Sequence, residues 1–525
     1  MDNRYAIGLF LAAALVVLTS VAALRAKVPA QSGAVDPNRR ALVRLGGVLG
    51  LGFAGLVVRL TSITVLNASS TADRVGQAPD GETLSNPRRI ALQVDARRGR
   101  ILDRNGEVLA RSDRRNGDWE RSYSAPEAAH LLGYFSPLRF GTAGVEHSRD
   151  GSLTGAEPLT LGEAWDTGIL ARPPAGHDVR LTIDLELQRL ARELLADTTG
   201  SAILLDQRTG RVLAMASSPA YDPNDLVAVS EDQIADVDQV WNQLQNNDDR
   251  PLLFRATSGL YPPGSTFKAL VAASAIDARA VTPETVFTDD GSLDVNGRVF
   301  PEYNRPDETK TEWTVDEGII WSLNVVFAQV GMQLGSDRLT EYAALFGIGR
   351  AVEFELPTAS GQLASRDDAL QDPASLAATS FGQGELLVTP LHMAMVMSAI
   401  ANGGVAMRPL LVDAVLDDAG DPVTSSRPSV ARTPISSESA ATALGLLYDS
   451  VTYGYASGAQ ITDLRVAAKT GTAESGREAP HGWFIGSAGV NEPVVTVAVC
   501  LDFGGEGGGR ALQIGRALLD AAIAR

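Results

Sequence analysis

Of the 45 basic residues in this 525-residue chain only four are lysine, and two of the four stand in the runs Ser265-Thr266-Phe267-Lys268 and Lys469-Thr470-Gly471-Thr472. Arginine keeps its proton in any protein environment, whereas a lysine withdrawn from water lowers its pKa and can accept a proton. A lysine three residues after a serine, on the first turn of a helix, lies on the same face. That arrangement can deprotonate a hydroxyl without a histidine. Pro262-Pro263-Gly264 precedes the serine and fixes a turn, and the residues from Ser265 onward have the apolar face of a helix. Ser265 is therefore expected at a helix N-terminus, where unpaired amides and the helix dipole favour developing negative charge. Taken alone, Ser-x-x-Lys is also what an ordinary N-cap serine looks like. Two companions give it chemical meaning. Ser322-Leu323-Asn324 follows in a segment expected to be helical around Gly318-Ile319-Ile320-Trp321, and Lys469-Thr470-Gly471 follows in a strand.

Elements to position these groups can be read on either side. A hairpin is expected where Asn105-Gly106 separates Ile101-Leu102 from Val108-Leu109-Ala110, and a second over residues 201–216 around Gln207-Arg208-Thr209-Gly210. Residues 185–195 carry Leu187, Leu190, Ala191, Leu194 and Leu195 on one helical face. A mostly helical middle is expected from about 225 to 460, then strands near 466–474, 482–490 and 494–503 and a closing amphipathic helix over 511–525. Strand hairpin, helical block, three strands and a helix predict an α+β domain: one antiparallel sheet with helices packed on its faces. Asp184, Asp206 and Asp222 read as turn and cap residues.

The N-terminal region has a different composition. Residues 5–24 contain no charge and are long enough to cross a bilayer as a helix. Residues 41–58 form a second apolar stretch interrupted only by Arg44. Between them Arg25, Lys27, Arg39, Arg40 and Arg44 face Asp36 alone, which places that loop in the cytoplasm and everything beyond residue 66 outside. The competing reading, a cleaved signal peptide, has its basic flank on the wrong side. Gly46, Gly50 and Ala54 form a small-residue stripe suited to close helix packing, against the first span or a partner. Residues 67–89 read as a linker.

Other chemistries are disfavoured. A net charge of −18 argues against a nucleic-acid partner. The lone Cys500 rules out an internal disulfide and sits in a β-branched run typical of a buried strand. The five histidines are scattered, and neither a phosphate-binding Gly-x-x-x-x-Gly-Lys loop nor a Gly-x-Ser-x-Gly elbow occurs.

The ordered set Ser-x-x-Lys, Ser-x-Asn, Lys-Thr-Gly is that of the penicillin-recognising serine enzymes. The chain resembles a class B, monofunctional penicillin-binding protein over nearly everything after the apolar segments. Residues 98–106 (Arg-Gly-Arg-Ile-Leu-Asp-Arg-Asn-Gly) resemble the first motif of the class B pedestal, and residues 200–224 resemble the entry to the catalytic domain. Gly382-Gln383-Gly384, residues 389–394 and Ala401-Asn402-Gly403-Gly404 also fall in the family's order. The brevity of the pedestal is similar to the penicillin-binding protein A group of actinobacteria; the second apolar span departs from the usual class B pattern. The resemblance implies a penicillin-recognising serine transpeptidase fold over 178–525, a linker and short dimerisation-type pedestal over 67–177, and two transmembrane helices within 1–66. It implies a D,D-transpeptidase joining peptidoglycan stem peptides through a serine acyl-enzyme, inhibited by β-lactams, with no cofactor and no metal. Ser265 is then the nucleophile and Lys268 its base. Ser322 and Asn324 relay a proton and orient the substrate. Lys469, Thr470, Gly471 and Thr472 hold the terminal carboxylate, and the amides of Ser265 and Thr472 form the oxyanion hole. The implied partners are D-Ala-D-Ala stem peptides, the membrane, and a polytopic glycosyltransferase of the shape, elongation, division and sporulation type. The alternatives are a D,D-carboxypeptidase or class D type β-lactamase on the same fold, or a non-enzymatic β-lactam sensor or scaffold.

Overall fold

The computed structural model describes residues 97–525 except 116–117, 157–162, 164–175, 367, 477–478 and 493, together with isolated positions nearer the N-terminus. No described helix is long and apolar enough to cross a membrane. The spans expected at 5–24 and 41–58 lie outside the described residues, save that Leu45, Val48, Gly52 and Gly55 are helical.

The centre is a five-stranded antiparallel sheet of β1 (Gly200–Asp206), β2 (Val212–Ser218), β3 (Arg465–Ala473), β4 (His481–Gly489) and β5 (Val495–Leu501), in the order β2-β1-β5-β4-β3. Both faces are covered, so its strands are apolar on both sides rather than alternating with polar residues. Ala202, Leu204, Phe484, Val497 and Val499 pack with Leu187 and Ala191 of α1 (Leu185–Leu194) and with Leu512, Ile514, Leu518 and Leu519 of the C-terminal helix Arg510–Ile523. Ile203, Leu205, Ile485, Ala498 and Cys500 face the larger core, which holds α2 (Lys268–Asp277), α3 (Asn324–Leu334), α4 (Pro390–Ala401) and α5 (Ser437–Tyr453). The side chains of α2 and α4 are buried over nearly their whole length. The two-residue period puts Val466 and Ala468 of β3 on one side and Ala467 and Ala473 on the α2 side, so Lys469 projects toward α2.

A second, six-stranded sheet is mixed. It runs in the order Pro422–Ser425, Val412–Leu416, Asp178–Leu181, Ile101–Leu102, Val108–Arg115, Asp118–Tyr123. Ile101–Leu102 pairs parallel with Asp178–Leu181, the other neighbours antiparallel. Residues 412–425, from the region expected to be helical, therefore complete a sheet begun more than 300 residues earlier. Asp413 joins them further, accepting from Arg180 and from Arg211 at the start of the β1–β2 hairpin's return. The helical middle also carries the antiparallel pair Val286–Thr288 with Glu312–Thr314 and, between them, the hairpin Ser292–Val295 with Arg298–Pro301. Each strand is three or four residues long, and together they bury only Val295, Phe300 and Trp313, too few for an apolar period to announce them.

Asp184 caps α1 by accepting from the amides of Glu186 and Leu187, Asp206 closes the β1–β2 turn, and Asp222 caps the turn at Asn224. Their carboxylates serve local backbone.

Candidate active site

Ser265 sits in a single 3-10 turn, Gly264–Phe267, and α2 begins at Lys268. The turn is fixed from three sides. Thr266 Oγ1 donates to the carbonyl of Pro263 at 2.7 Å, Trp483 Nε1 of β4 donates to that of Pro262 at 2.9 Å, and Gly264 N–H donates to Gly382 O at 3.0 Å. Close passage of β3 depends on two glycines. Gly264 has φ +54°, and a Cβ there would lie 2.7 Å from the carbonyl oxygen of Thr472. A Cβ on Gly471 would lie 2.9 Å from the carbonyl oxygen of Pro263. The Ser265 turn and the Lys-Thr-Gly strand are thus pressed backbone to backbone. Ser265 is half-buried and Thr472 exposed, so both keep atoms within reach of solvent.

Ser322 does not lie in a helix. The helix Val315–Ile320 ends before it and α3 starts after it, with Ser322 between them at φ +59°. The left-handed region costs a β-carbon-bearing residue about 1–2 kcal/mol, so other contacts must hold it there. They do. Ser322 O accepts from Lys268 Nζ at 2.6 Å and from Asn304 Nδ2 at 3.1 Å, while Ser322 Oγ accepts from Lys469 Nζ at 2.9 Å. Lys268 Nζ also donates to Asn324 Oδ1 at 2.7 Å, and Lys469 Nζ to Thr470 O at 3.1 Å. Lys268, Ser322, Asn324 and Lys469, far apart in the chain, therefore form one cluster one turn from Ser265. No hydrogen bond joins Lys268 to Ser265 Oγ; such contacts commonly close only when substrate is bound.

Both lysines are fully buried and neither forms an ion pair among the described residues. Burial lowers the Lys268 ammonium to about 7, opposed by the carboxylate of Glu302. Burial also holds Lys469 well below the usual lysine range, and the charge of Lys268 lowers it further. Two ammonium groups flanking one hydroxyl repel each other, which favours losing a proton from the pair. The Phe327 ring, 5.7 Å from Lys268 Nζ, closes the remaining side. A neutral Lys268 amine has two N–H bonds. Ser322 O and Asn324 Oδ1 can take both, which turns the nitrogen lone pair toward a hydroxyl such as Ser322 Oγ at 3.4 Å.

Of the candidates read from the sequence, the fold joins Lys268, Ser322, Asn324 and Lys469 by hydrogen bonds and presses the Ser265 turn against Gly471 and Thr472 of the strand that carries Lys469 and Thr470. The sequence reading did not single out Glu302 and Asn304. Asn304 reaches the same carbonyl as Lys268, and the Glu302 carboxylate accepts from the amides of Tyr303, Asn304 and Val325. A lone carboxylate and a lone amide in a polar loop carry no spacing signal.

Residues 200–520 match the family model for the penicillin binding protein transpeptidase domain, and residues 98–179 match that for the penicillin binding protein A dimerisation domain. The peptidoglycan D,D-transpeptidase PbpA of Mycolicibacterium smegmatis is 32% identical over 498 residues, covering 89% of this chain and 97% of that protein. The peptidoglycan D,D-transpeptidase MrdA of Escherichia coli K12 is 31% identical over 303 residues, covering 55% of this chain and 47% of that protein. Among solved structures, the ceftriaxone acyl-enzyme complex of penicillin-binding protein A from M. tuberculosis superposes with a TM-score of 0.76 at 30% identity. That match covers 83% of this chain and all of the other.

Proposed function

The chain belongs to the class B penicillin-binding proteins and is a β-lactam-inhibited serine D,D-transpeptidase of peptidoglycan; on that premise we propose how its residues divide the work. Ser265 Oγ attacks the carbonyl of the penultimate D-alanine of a stem peptide, and its proton passes to the neutral amine of Lys268. Lys469, with Thr470 and Thr472, holds the terminal carboxylate. The oxyanion of the tetrahedral intermediate is received by the N–H groups of Ser265 and Thr472, a contribution of roughly 3–4 kcal/mol where a single such donor is removed. As the C–N bond breaks, Ser322 Oγ hands its proton to the leaving D-alanine nitrogen and recovers one from the lysine pair that flanks it. An amine of a second stem peptide then attacks the ester by the reverse route, giving the cross-link and returning the proton to Ser265.

One observation carries this assignment: Lys268 is wholly buried among Ser322 O, Asn324 Oδ1 and Ser322 Oγ with no carboxylate bonded to it among the described residues, and that burial lowers its ammonium to about 7, a setting matched to losing its proton. The test is labelling by a fluorescent penicillin. Native protein is expected to take up one equivalent, Ser265→Ala none, and Lys268→Arg less than one-hundredth of the native rate because arginine cannot give up its proton. A labelled Ser265→Ala protein would remove the nucleophile assignment. Sustained turnover of a chromogenic cephalosporin, many per second, would favour the hydrolase alternative.

We further propose that the catalytic domain stands outside the cytoplasmic membrane, anchored by residues 5–24 and 41–58, and works beside a polytopic glycosyltransferase that supplies new glycan. The excess of basic residues in the loop between the two apolar stretches supports this reading. Protease accessibility in intact spheroplasts checks it: the catalytic domain should be digested and the 25–40 loop protected.

A further inference from the structure

The loop that carries Glu302 and Asn304 is the least accounted-for part of the site. We propose that Glu302 and Asn304 are positioning residues for acyl transfer, a clamp that holds Ser322 in its left-handed conformation and sets a buried carboxylate opposite the lysine pair. The inference rests on the mechanism above and deepens it.

Ser322, at φ +59°, turns its hydroxyl toward Lys469 and its carbonyl toward Lys268 at once. Few non-glycine residues take that conformation unaided. Asn304 Nδ2 supplies the second donor to the Ser322 carbonyl, and Tyr455 Oη donates to the Asn304 carbonyl at 3.3 Å from the opposite side. Glu302, 8% exposed, anchors the loop. Its Oε1 accepts from the amides of Tyr303 and Asn304 at 3.0 and 3.1 Å, and its Oε2 accepts from Val325 N–H at 3.0 Å, on the first turn of α3. One carboxylate thus ties the loop to the helix that presents Asn324, and a helix N-terminus is where a negative charge is most favourably placed. Both Glu302 oxygens are occupied by backbone amides, and no cation pairs with it among the described residues. Its charge is therefore available to act on the site. The charged groups facing Lys268 are Lys469 from β3 and Glu302 from this loop; α3 contributes the uncharged Asn324 and Phe327.

The full chain, purified as native protein and as Glu302→Gln, Glu302→Asp, Asn304→Ala and Ser265→Ala, is tested for its rate of acylation by a fluorescent penicillin from pH 5 to 9, with thermal melting alongside. Removing the Glu302 charge disfavours the Lys268 ammonium. The Glu302→Gln acid limb is therefore expected to move to lower pH by about half a unit or more, while Glu302→Asp titrates like the native protein. Asn304→Ala is expected to lower the plateau rate about tenfold with little change in melting temperature. A Glu302→Gln profile that superimposes on the native one after scaling overturns the counter-charge role. A native plateau in Asn304→Ala overturns the clamp. If Glu302→Gln does not fold, the Asn304→Ala plateau decides alone. Labelling of Ser265→Ala would instead sink the underlying mechanism, so the two failures are distinguishable.

Discussion

Lys268 is useful because burial makes its charge expensive. With the ammonium lowered to about 7, acylation should fall about tenfold per pH unit below that point and level off above it, a profile measurable with any slowly released penicillin. The same burial has a stability consequence whose sign is opposite to that of an ion-paired lysine. The unfolded chain holds the Lys268 proton up to the ordinary lysine range, whereas the folded protein releases it from about pH 7. Between about pH 7 and 10 the unfolded state binds more protons, so stability rises with pH across that window. Lys268→Met removes the Lys268 share of this dependence, while buried Lys469 keeps its own. The substitution should abolish penicillin labelling while leaving the melting temperature at pH 7 equal to or above the native value, an exchange of function for stability. A melting curve that drops several degrees instead would mean that the lysine's hydrogen bonds outweigh its desolvation.

Glycine decides how closely two elements can approach. β3 passes the Ser265 turn at a distance that leaves no room for a β-carbon on Gly471 or Gly264. Gly471→Ala would force the strand away from the turn by several tenths of an ångström and separate the Ser265 and Thr472 amides. A loss of about 1–3 kcal/mol in urea unfolding is expected, as for other overpacked sites, together with a fall in acylation rate of at least tenfold. If stability falls but the folded fraction acylates normally, the close approach is structural and the oxyanion assignment loses its support. By contrast, Cys500 is enclosed between β1 and β4 in β5, its thiol pushed up by burial, and should resist alkylation until the protein unfolds.

At the scale of the whole molecule, residues 98–154 depend on a buried charge cluster. Glu146 receives Arg98 at 2.9 Å and Arg121 at 2.6 Å; Tyr123 Oη donates to it, and Arg98 also reaches Asp150 at 2.7 Å. Both arginines and the glutamate are 0–1% exposed at their side chains. Glu146→Ala would leave two guanidinium groups buried with half their compensation, a cost of about 3–5 kcal/mol. Because Arg121 lies in a sheet that includes Asp178–Leu181 and Val412–Leu416, the loss should appear as a lower midpoint of global unfolding rather than local fraying. Two separate transitions in calorimetry would contradict that shared sheet.

Much of the chemistry was legible in the chain because it resides in residue types at short spacing: a serine and lysine one turn apart, a glycine after a lysine and threonine in a strand, prolines and glycine at a turn. Local preference also fixed the β1–β2 and Asn105–Gly106 hairpins, whose turns are encoded by three or four residues each. Only the tertiary structure decided that Ser322 leaves the helix for a left-handed turn, since the donors that hold it there come from Lys268 and Asn304. It alone revealed Glu302 and Asn304 at the site, and the return of residues 412–425 to the sheet of residues 101–123. Those outcomes rest on contacts between segments remote in sequence, where each residue's own preference is weak and the enclosing fold supplies the deciding energy.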